Sequence, residues 1–185
     1  MLRVIAGELR GRRLRTPSGR TTRPTADRTR EAVFNILGAR LLGGWVLDLF
    51  AGSGAFGIEA LSRGAAGAVF VENDRRAFAV LQRNLADLGL LGRSRAFLRD
   101  AARGLGFLAG EGFRFRIAFL DPPYGAGLVV PALQGLLAAA CMDPGGLIVV
   151  EHSAGEGLPE TVASLRRSDR RRYGDTLVSF YSSVL

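Results

Sequence analysis

An open, mostly parallel α/β sheet, doubly wound with helices on both faces, is predicted by three features of the 185-residue sequence. From residue 45 onward, short apolar runs alternate with stretches of helical periodicity, the pattern of successive strand–helix–strand units. Two of those runs pass directly into turn chemistry, AGSG after Phe50 and Asp-Pro-Pro-Tyr after Leu120, as expected where parallel strands leave a sheet at their carboxyl ends. The closing residues switch to alternation around a Tyr-Gly-Asp turn, which predicts an antiparallel C-terminal edge hairpin.

Each element follows in order. Residues 2 to 15 carry Gly7, Gly11 and arginines at 3, 10, 12, 13 and 15, and read as a small basic hairpin extension. Thr16 to Thr25 is a Pro- and Thr-containing linker loop, so residues 1–25 are expected to form an extension and 26–185 the main domain. Asp27 is placed to cap a helix carrying Ala32, Val33, Ile36 and Leu37 at helical spacing, closed at Gly38. Strands are expected at 45–50, 68–72, 94–98, 117–120 and 147–151, and helices at 56–63, 75–88 and 128–140. The terminal hairpin spans 161–172, a turn at 173–175, and an alternating strand with Leu177, Phe180 and Val184.

Composition narrows the function classes. One cysteine, Cys141, excludes an intrachain disulfide framework, and with His152 the sole histidine there is no spacing that builds a zinc site. The apolar stretches are interrupted before the roughly 20 residues a membrane span requires, and Arg3 stands where a signal peptide would turn apolar, so a cytoplasmic protein is expected. All 25 basic residues are arginine, and the formal charge is +8. Residues 1–40 carry net +7, residues 41–160 net −2 and residues 161–185 net +3. Coding bias or heat adaptation accounts for Arg in place of Lys but not for this segregation. Basic ends around a near-neutral core point to a polyanionic partner, with Arg10, Arg12, Arg13, Arg23, Arg28 and Arg30 as candidate phosphate contacts.

Gly52, Gly54 and Gly57 spell G-x-G-x-x-G between a strand and a helix, and Glu72 ends the following strand twenty residues after Gly52. On spacing alone this fits a dinucleotide-binding fingerprint. Asp48 separates the candidates: a carboxylate at this strand end repels a pyrophosphate, whereas S-adenosylmethionine brings an ammonium and a sulfonium. The two oxygens of Glu72 match a ribose diol. Asp100 is either an acceptor for the adenine amine or a helix cap, and Asn73 with Asp74 either border the cofactor or cap the next helix.

Asp121-Pro122-Pro123-Tyr124 leaves the strand IAFL, since two prolines cannot continue a ladder. An exocyclic amine is a poor nucleophile because its lone pair is delocalised into the ring. Hydrogen bonds from the amine to the Asp121 carboxylate and the Pro122 carbonyl localise that pair, and Asp121 accepts the departing proton. Tyr124 offers a stacking face for an extruded base.

VIAGELRGRRL (4–14), RPTADRTREAVFNIL (23–37), VLDLFAGSGAFGIEALSRGA (46–65), FVEND (70–74) and FLDPPYG (119–125) together resemble the bacterial RsmD family over nearly the whole chain. The resemblance implies a Rossmann-like class I S-adenosylmethionine-dependent methyltransferase fold. It also implies methyl transfer to the N2 amine of a guanine in 16S rRNA, guanine(966) in that family, on the 30S subunit or its assembly intermediate. Carried over residue by residue, it implies Asp48, Gly52 and Gly54 at the cofactor turn and Glu72 at the ribose, and the cofactor site is expected to take in Phe50, Ala51, Ser53 and Asn73 beside them, with Asp100 at the adenine or as a cap. Phe34 and Asn35 would lie near the methionine end, catalysis falls to Asp121, Pro122, Pro123 and Tyr124, and no metal is needed. A monomer is expected. Three rivals are a DNA adenine-N6 methyltransferase, a non-catalytic ribosome-binding protein and a nicotinamide oxidoreductase. About 60 residues after Tyr124 leave the first no room for a target-recognition domain, intact acids at 48, 72 and 121 speak against the second, and Asp48 and Asp-Pro-Pro-Tyr are unexplained by the third.

Overall fold

The computed structural model describes residues 2–17 and 24–183, and of Pro24 to Ala26 the backbone alone. Arg23 and Val184 therefore lie outside the described residues. Eight strands form one sheet: β1 (Trp45–Leu49), β2 (Gly67–Glu72), β3 (Ser94–Leu98), β4 (Phe115–Leu120), β5 (Met142–Ser153), β6 (Thr161–Val162), β7 (Leu165–Tyr173) and β8 (Thr176–Ser183). Their order is β3-β2-β1-β4-β5-β8-β7-β6. The first five pair in parallel, and the C-terminal strands pair antiparallel, with β8 beside β5. The helices are α1 (Pro24–Leu37), α2 (Ala55–Ser62), α3 (Arg75–Asp87), α4 (Gly106–Gly110) and α5 (Val129–Ala139).

Strand alternation divides the core between the two faces. On one face Val46, Phe70, Ile117, Phe119, Val149, Val178 and Phe180 pack with Val33, Phe34 and Leu37 of α1 and with residues of α2 and α3. On the other, Leu47, Leu49, Val69, Val71, Ala118, Ile148, Val150 and Tyr181 pack with α4 and α5. Alternate residues of one strand reach opposite faces, so the runs AVFV of β2, IAFL of β4 and LIVV of β5 are apolar at consecutive positions, whereas the outer strand β3 carries the exposed Arg95.

Three expectations need correction. Asp27 is not a cap: α1 begins at Pro24, whose fixed φ suits a first turn, and Asp27 instead pairs with Arg30 at 3.3 Å. β5 starts at Met142 rather than Leu147, because Met142 pairs with Phe115 before the register shift between Phe115 and Ile117. The segment between β3 and β4 is not featureless but carries a 3-10 turn at Ala101–Arg103 and α4.

The N-terminal hairpin is cross-linked by Val4 N–H to Arg12 O, Gly11 N–H to Val4 O and Leu14 N–H to Leu2 O. It is packed into the core through buried Leu2, Val4 and Leu14. Polar side chains of α2 and α3 anchor its backbone. Glu59 accepts from Ile5 N–H (2.7 Å) and Ala6 N–H (3.0 Å), and Ser62 accepts from Leu9 N–H and donates to Ala6 O. Asn84 brackets Arg15, accepting its N–H and donating to its carbonyl. Gly7 has φ 84, and a Cβ there would fall 1.9 Å from the Ser62 carbonyl oxygen, so no other residue fits this contact.

Candidate active site

The functional residues gather at the carboxyl ends of β1, β2, β4 and β5. The turn after β1 is locked by backbone bonds: Phe50 and Ala51 N–H both donate to Val71 O of β2, and Gly54 N–H donates to Ala51 O. Phe50 sits at φ 100, which for a residue with a side chain costs on the order of 1–3 kcal/mol and persists only where the surroundings impose it. Glu72, 8% exposed, holds this turn to the start of α3: Oε2 accepts from Gly52 N–H at 2.7 Å and Oε1 from Asp74 N–H at 2.8 Å. Each oxygen keeps a second lone-pair site for a ligand hydroxyl. Asp74 caps α3 by accepting from Ala77 N–H, whereas the neighbouring Asn73 side chain is exposed.

A cleft of about 440 Å3, open space included, is lined by Phe50, Val71, Glu72, Asn73, Arg99, Ala101, Asp121, Pro123 and Leu128. Its mixed lining, apolar at Phe50, Val71, Pro123 and Leu128 and polar at Glu72, Asn73, Arg99 and Asp121, suits a nucleoside whose ribose diol meets the Glu72 carboxylate. A second, shallower depression of about 200 Å3, open space included, lies on the α1 face between Val33, Phe56, Phe119, Leu120, Asp121, Val149, Glu151 and Val178, with enclosed room of only about 10 Å3. Asp121 belongs to both, so its carboxylate stands where the two spaces adjoin. Tyr124, 42% exposed, is oriented by its hydroxyl, which donates to Glu151 Oε1 at 3.0 Å and lies 3.1 Å from Thr176 Oγ1. Burial, with smaller contributions from the charges of Glu151 and Asp121, pushes the phenol pKa up, so the hydroxyl stays protonated. Burial also raises the Glu151 carboxyl above its ordinary range, opposed by the Tyr124 bond and the charge of Arg30.

The structure redistributes several expected residues. Asp48 is 3% exposed and does not line the cleft; its even register with Val46 turns it under α2, where Oδ2 accepts from Gly57 N–H at 2.9 Å. Burial drives its pKa up to about 7, with Gly57 opposing and Glu72 adding to the shift. Gly57 in turn has no space for a side chain, since a Cβ would lie 2.3 Å from the Phe70 ring. Asp100 acts as a cap, accepting from Ala102 N–H at 3.0 Å, while Arg99 and Ala101 on either side line the cleft. Phe34 is 1% exposed, packed against Phe56 and Phe119 with the Arg63 guanidinium over its ring. The register of α1 sends it into the core rather than towards a ligand, and Asn35 to the surface. Ser53 directs its carbonyl to Asn84 Nδ2.

Among the expected phosphate contacts, Arg10, Arg12, Arg13 and Arg28 are exposed, with Arg12 bonded to Asp87 O. Arg30 is not at the surface. It is 3% exposed, donates to Arg3 O at 2.7 Å and leaves Nε without a partner among the described residues, because its position on α1 faces the sheet. Burial lowers its pKa. Sequence reasoning passed over Glu151 and Thr176. The signal for Glu151 was available, since it ends the apolar run LIVVE just as Glu72 ends AVFVE and Asp121 ends IAFL. Thr176 had none, because its contact with Tyr124 depends on β8 lying against β5.

Residues 2–182 match the family model described as Conserved hypothetical protein 95. The chain belongs to the RsmD family. Family resemblance extends to Ribosomal RNA small subunit methyltransferase D of Escherichia coli K12, 41% identical over 163 residues, covering 88% of this chain and 80% of that protein. The Haemophilus influenzae protein of the same name is 36% identical over 152 residues, covering 81% and 78%. A solved structure described as "Putative methyltransferase yhhF from Escherichia coli" superposes with a TM-score of 0.86 at 38% identity, covering 98% of this chain and 97% of that one. The RsmD family chain thus has an α/β methyltransferase architecture. No helix among its described residues is long and apolar enough to cross a membrane.

Proposed function

We propose that the protein transfers a methyl group from S-adenosylmethionine to the exocyclic N2 amine of a guanine in 16S rRNA, with guanine(966) on the 30S subunit or its assembly intermediate as the target. The observation that carries this reading is the place of Asp121, whose carboxylate borders both the cleft headed by Glu72 and the depression beside Glu151. The names of the RsmD relatives support the RNA class.

S-adenosylmethionine supplies an electrophilic methyl carbon bound to a sulfonium. Glu72 and Asn73 hold the ribose end, and the backbone of Phe50 to Gly54 shapes the floor beside it. Asp121 accepts a hydrogen bond from the target amine and the Pro122 carbonyl accepts the second, which turns the nitrogen lone pair out of conjugation and towards the donor. As the N–C bond forms and the S–C bond breaks, Asp121 takes the proton released from nitrogen. Tyr124 stacks on the extruded base, worth about 1–3 kcal/mol. Exposed Arg10, Arg12, Arg13 and Arg28, with Arg23 beyond the described residues, supply sequence-independent phosphate contacts. Asp48 supports this site from below through Gly57 instead of touching the ligand.

The test is transfer of labelled methyl to 30S subunits lacking the modification, to naked 16S RNA and to duplex DNA, with the product nucleoside identified and Asp121→Ala alongside. N2-methylguanosine in RNA, absent with the variant, is the expected result. N6-methyladenine in DNA, or cofactor binding without transfer to any acceptor, overturns the reading.

A further inference from the structure

Asp-Pro-Pro-Tyr chemistry does not by itself separate a guanine amine from an adenine amine, because both present two N–H donors to Asp121 and the Pro122 carbonyl. Their neighbouring ring atoms do differ. Beside its amine, guanine carries N1–H, a donor, whereas adenine carries a bare N1 lone pair, an acceptor. An extruded base is read along this edge by hydrogen bonds, so a second acceptor next to Asp121 discriminates between the two.

Glu151 has the required place and chemistry. It lies near the carboxyl end of β5, the strand beside β4, and shares with Asp121 the lining of the shallow depression on the α1 face. Tyr124 feels the charges of both carboxylates, so Asp121, Tyr124 and Glu151 converge on one region. Oε1 of Glu151 accepts the Tyr124 hydroxyl, while Oε2 has no hydrogen-bond donor among the described residues. The remainder of the depression is apolar, built by Val33, Phe56, Phe119, Val149 and Val178, so an unmatched polar edge finds no other partner there.

We propose that Glu151 is the specificity-determining residue of the acceptor site, its free carboxylate oxygen accepting guanine N1–H while Asp121 accepts the N2 amine. This rests on the guanine-N2 reading above. An adenine in the same pose sets its N1 lone pair against a carboxylate and leaves that carboxylate unpaired, and a site built to bond a substrate N–H strongly rejects an analogue lacking it. Tyr124 is placed by the same side chain, which couples the stacking face to the edge reader.

The experiment uses the full chain and 30S particles reconstituted with guanine or with 2-aminopurine at the methylated position. 2-Aminopurine keeps the exocyclic N2 amine but has a lone pair at N1. The wild-type protein is expected to methylate the guanine particle at least about 10–100-fold faster, the range lost with one hydrogen bond to a charged group. Glu151→Gln is expected to slow transfer to guanine by a similar factor and to shrink the preference over 2-aminopurine, since its amide presents either a donor or an acceptor. Its affinity for S-adenosylmethionine is expected to stay unchanged. Gln also preserves an acceptor for the Tyr124 hydroxyl, so a purely positional role leaves the guanine to 2-aminopurine ratio where it was, and that result overturns the proposal. A wild-type protein that methylates both particles equally overturns it too while leaving guanine-N2 transfer standing. Methylation of adenine alone overturns both. If Glu151→Gln fails to fold, competition against the wild-type protein at saturating S-adenosylmethionine decides: inhibition competitive with the 30S particle by inosine but not by adenosine supports an N1–H reader, and equal inhibition overturns it.

Discussion

The cleft headed by Glu72, proposed for the cofactor, and the depression beside Glu151, proposed for the acceptor, meet at Asp121 but are built by different means. On the cofactor side the carboxylates are committed to backbone: Glu72 holds Gly52 and Asp74, Asp48 holds Gly57, and the strained Phe50 turn is bonded to Val71 of the adjacent strand. On the acceptor side the polar bonds run between side chains, Tyr124 to Glu151 and Thr176, beside an exposed loop. The first half is therefore part of the fold and costs stability when altered, whereas the second tolerates alteration and registers it in rate and selectivity.

Four substitutions test this contrast, in falling order of effect. Asp121→Ala should cut methyl transfer by about 10²–10⁴-fold, the range of a lost proton acceptor, while calorimetry finds cofactor affinity within a few-fold of wild type. A large loss of cofactor binding would show that the two halves are not separable. Glu72→Ala should do the reverse, weakening the cofactor by on the order of tenfold or more and lowering the melting temperature, because it orphans two backbone N–H groups at about 1–3 kcal/mol each. An unchanged melting temperature would remove the claim that this half is structural.

Asp48 gives a pH signature confined to the cofactor half. Its folded-state pKa of about 7 lies above the ordinary value of 3.8, so the folded protein binds a proton that the unfolded chain has released. Stability from this group is fully present below the ordinary value and is lost as pH rises towards about 7. Asp48→Asn, which keeps an acceptor for Gly57 N–H, should flatten that stretch of the stability–pH curve in denaturant titrations. The smallest effect is expected of Tyr124→Phe, which keeps the ring but loses both hydroxyl contacts. A change in stability under about 1 kcal/mol, with slower transfer, is the outcome that fits a half-exposed hydrogen bond.

The parallel half was legible because its information is local. Five apolar runs, a glycine turn and a strand-ending acid are each set within a dozen residues, and the structure places β1 to β3 within a residue of their expected ends. The C-terminal hairpin was legible from alternation and a turn, except that its first arm, expected over 161–172, is divided at Ala163 (φ 50) into β6 and β7, which pair with each other. What was not legible depended on partners far along the chain. Arg30 is indistinguishable from Arg28 in sequence, and the orientation of α1 against the sheet alone buries one and exposes the other. Phe34 is expected near the ligand from the family resemblance and Asp48 from its place before the glycine turn, but helix register and strand parity turn both side chains into the core. Glu59, Ser62 and Asn84 carry no local sign that they anchor a segment more than fifty residues earlier.

That anchoring sets the order of events when the chain is made. Ile5, Ala6, Leu9 and Arg15 of the N-terminal hairpin have backbone partners at Glu59, Ser62 and Asn84, so these bonds wait until α2 and α3 have been made. Leu2, Val4 and Leu14 stay uncovered during that interval. Docking of this hairpin is thus a late step of folding, and long-range closure of this kind slows the approach to the native state and prolongs the window for misassembly.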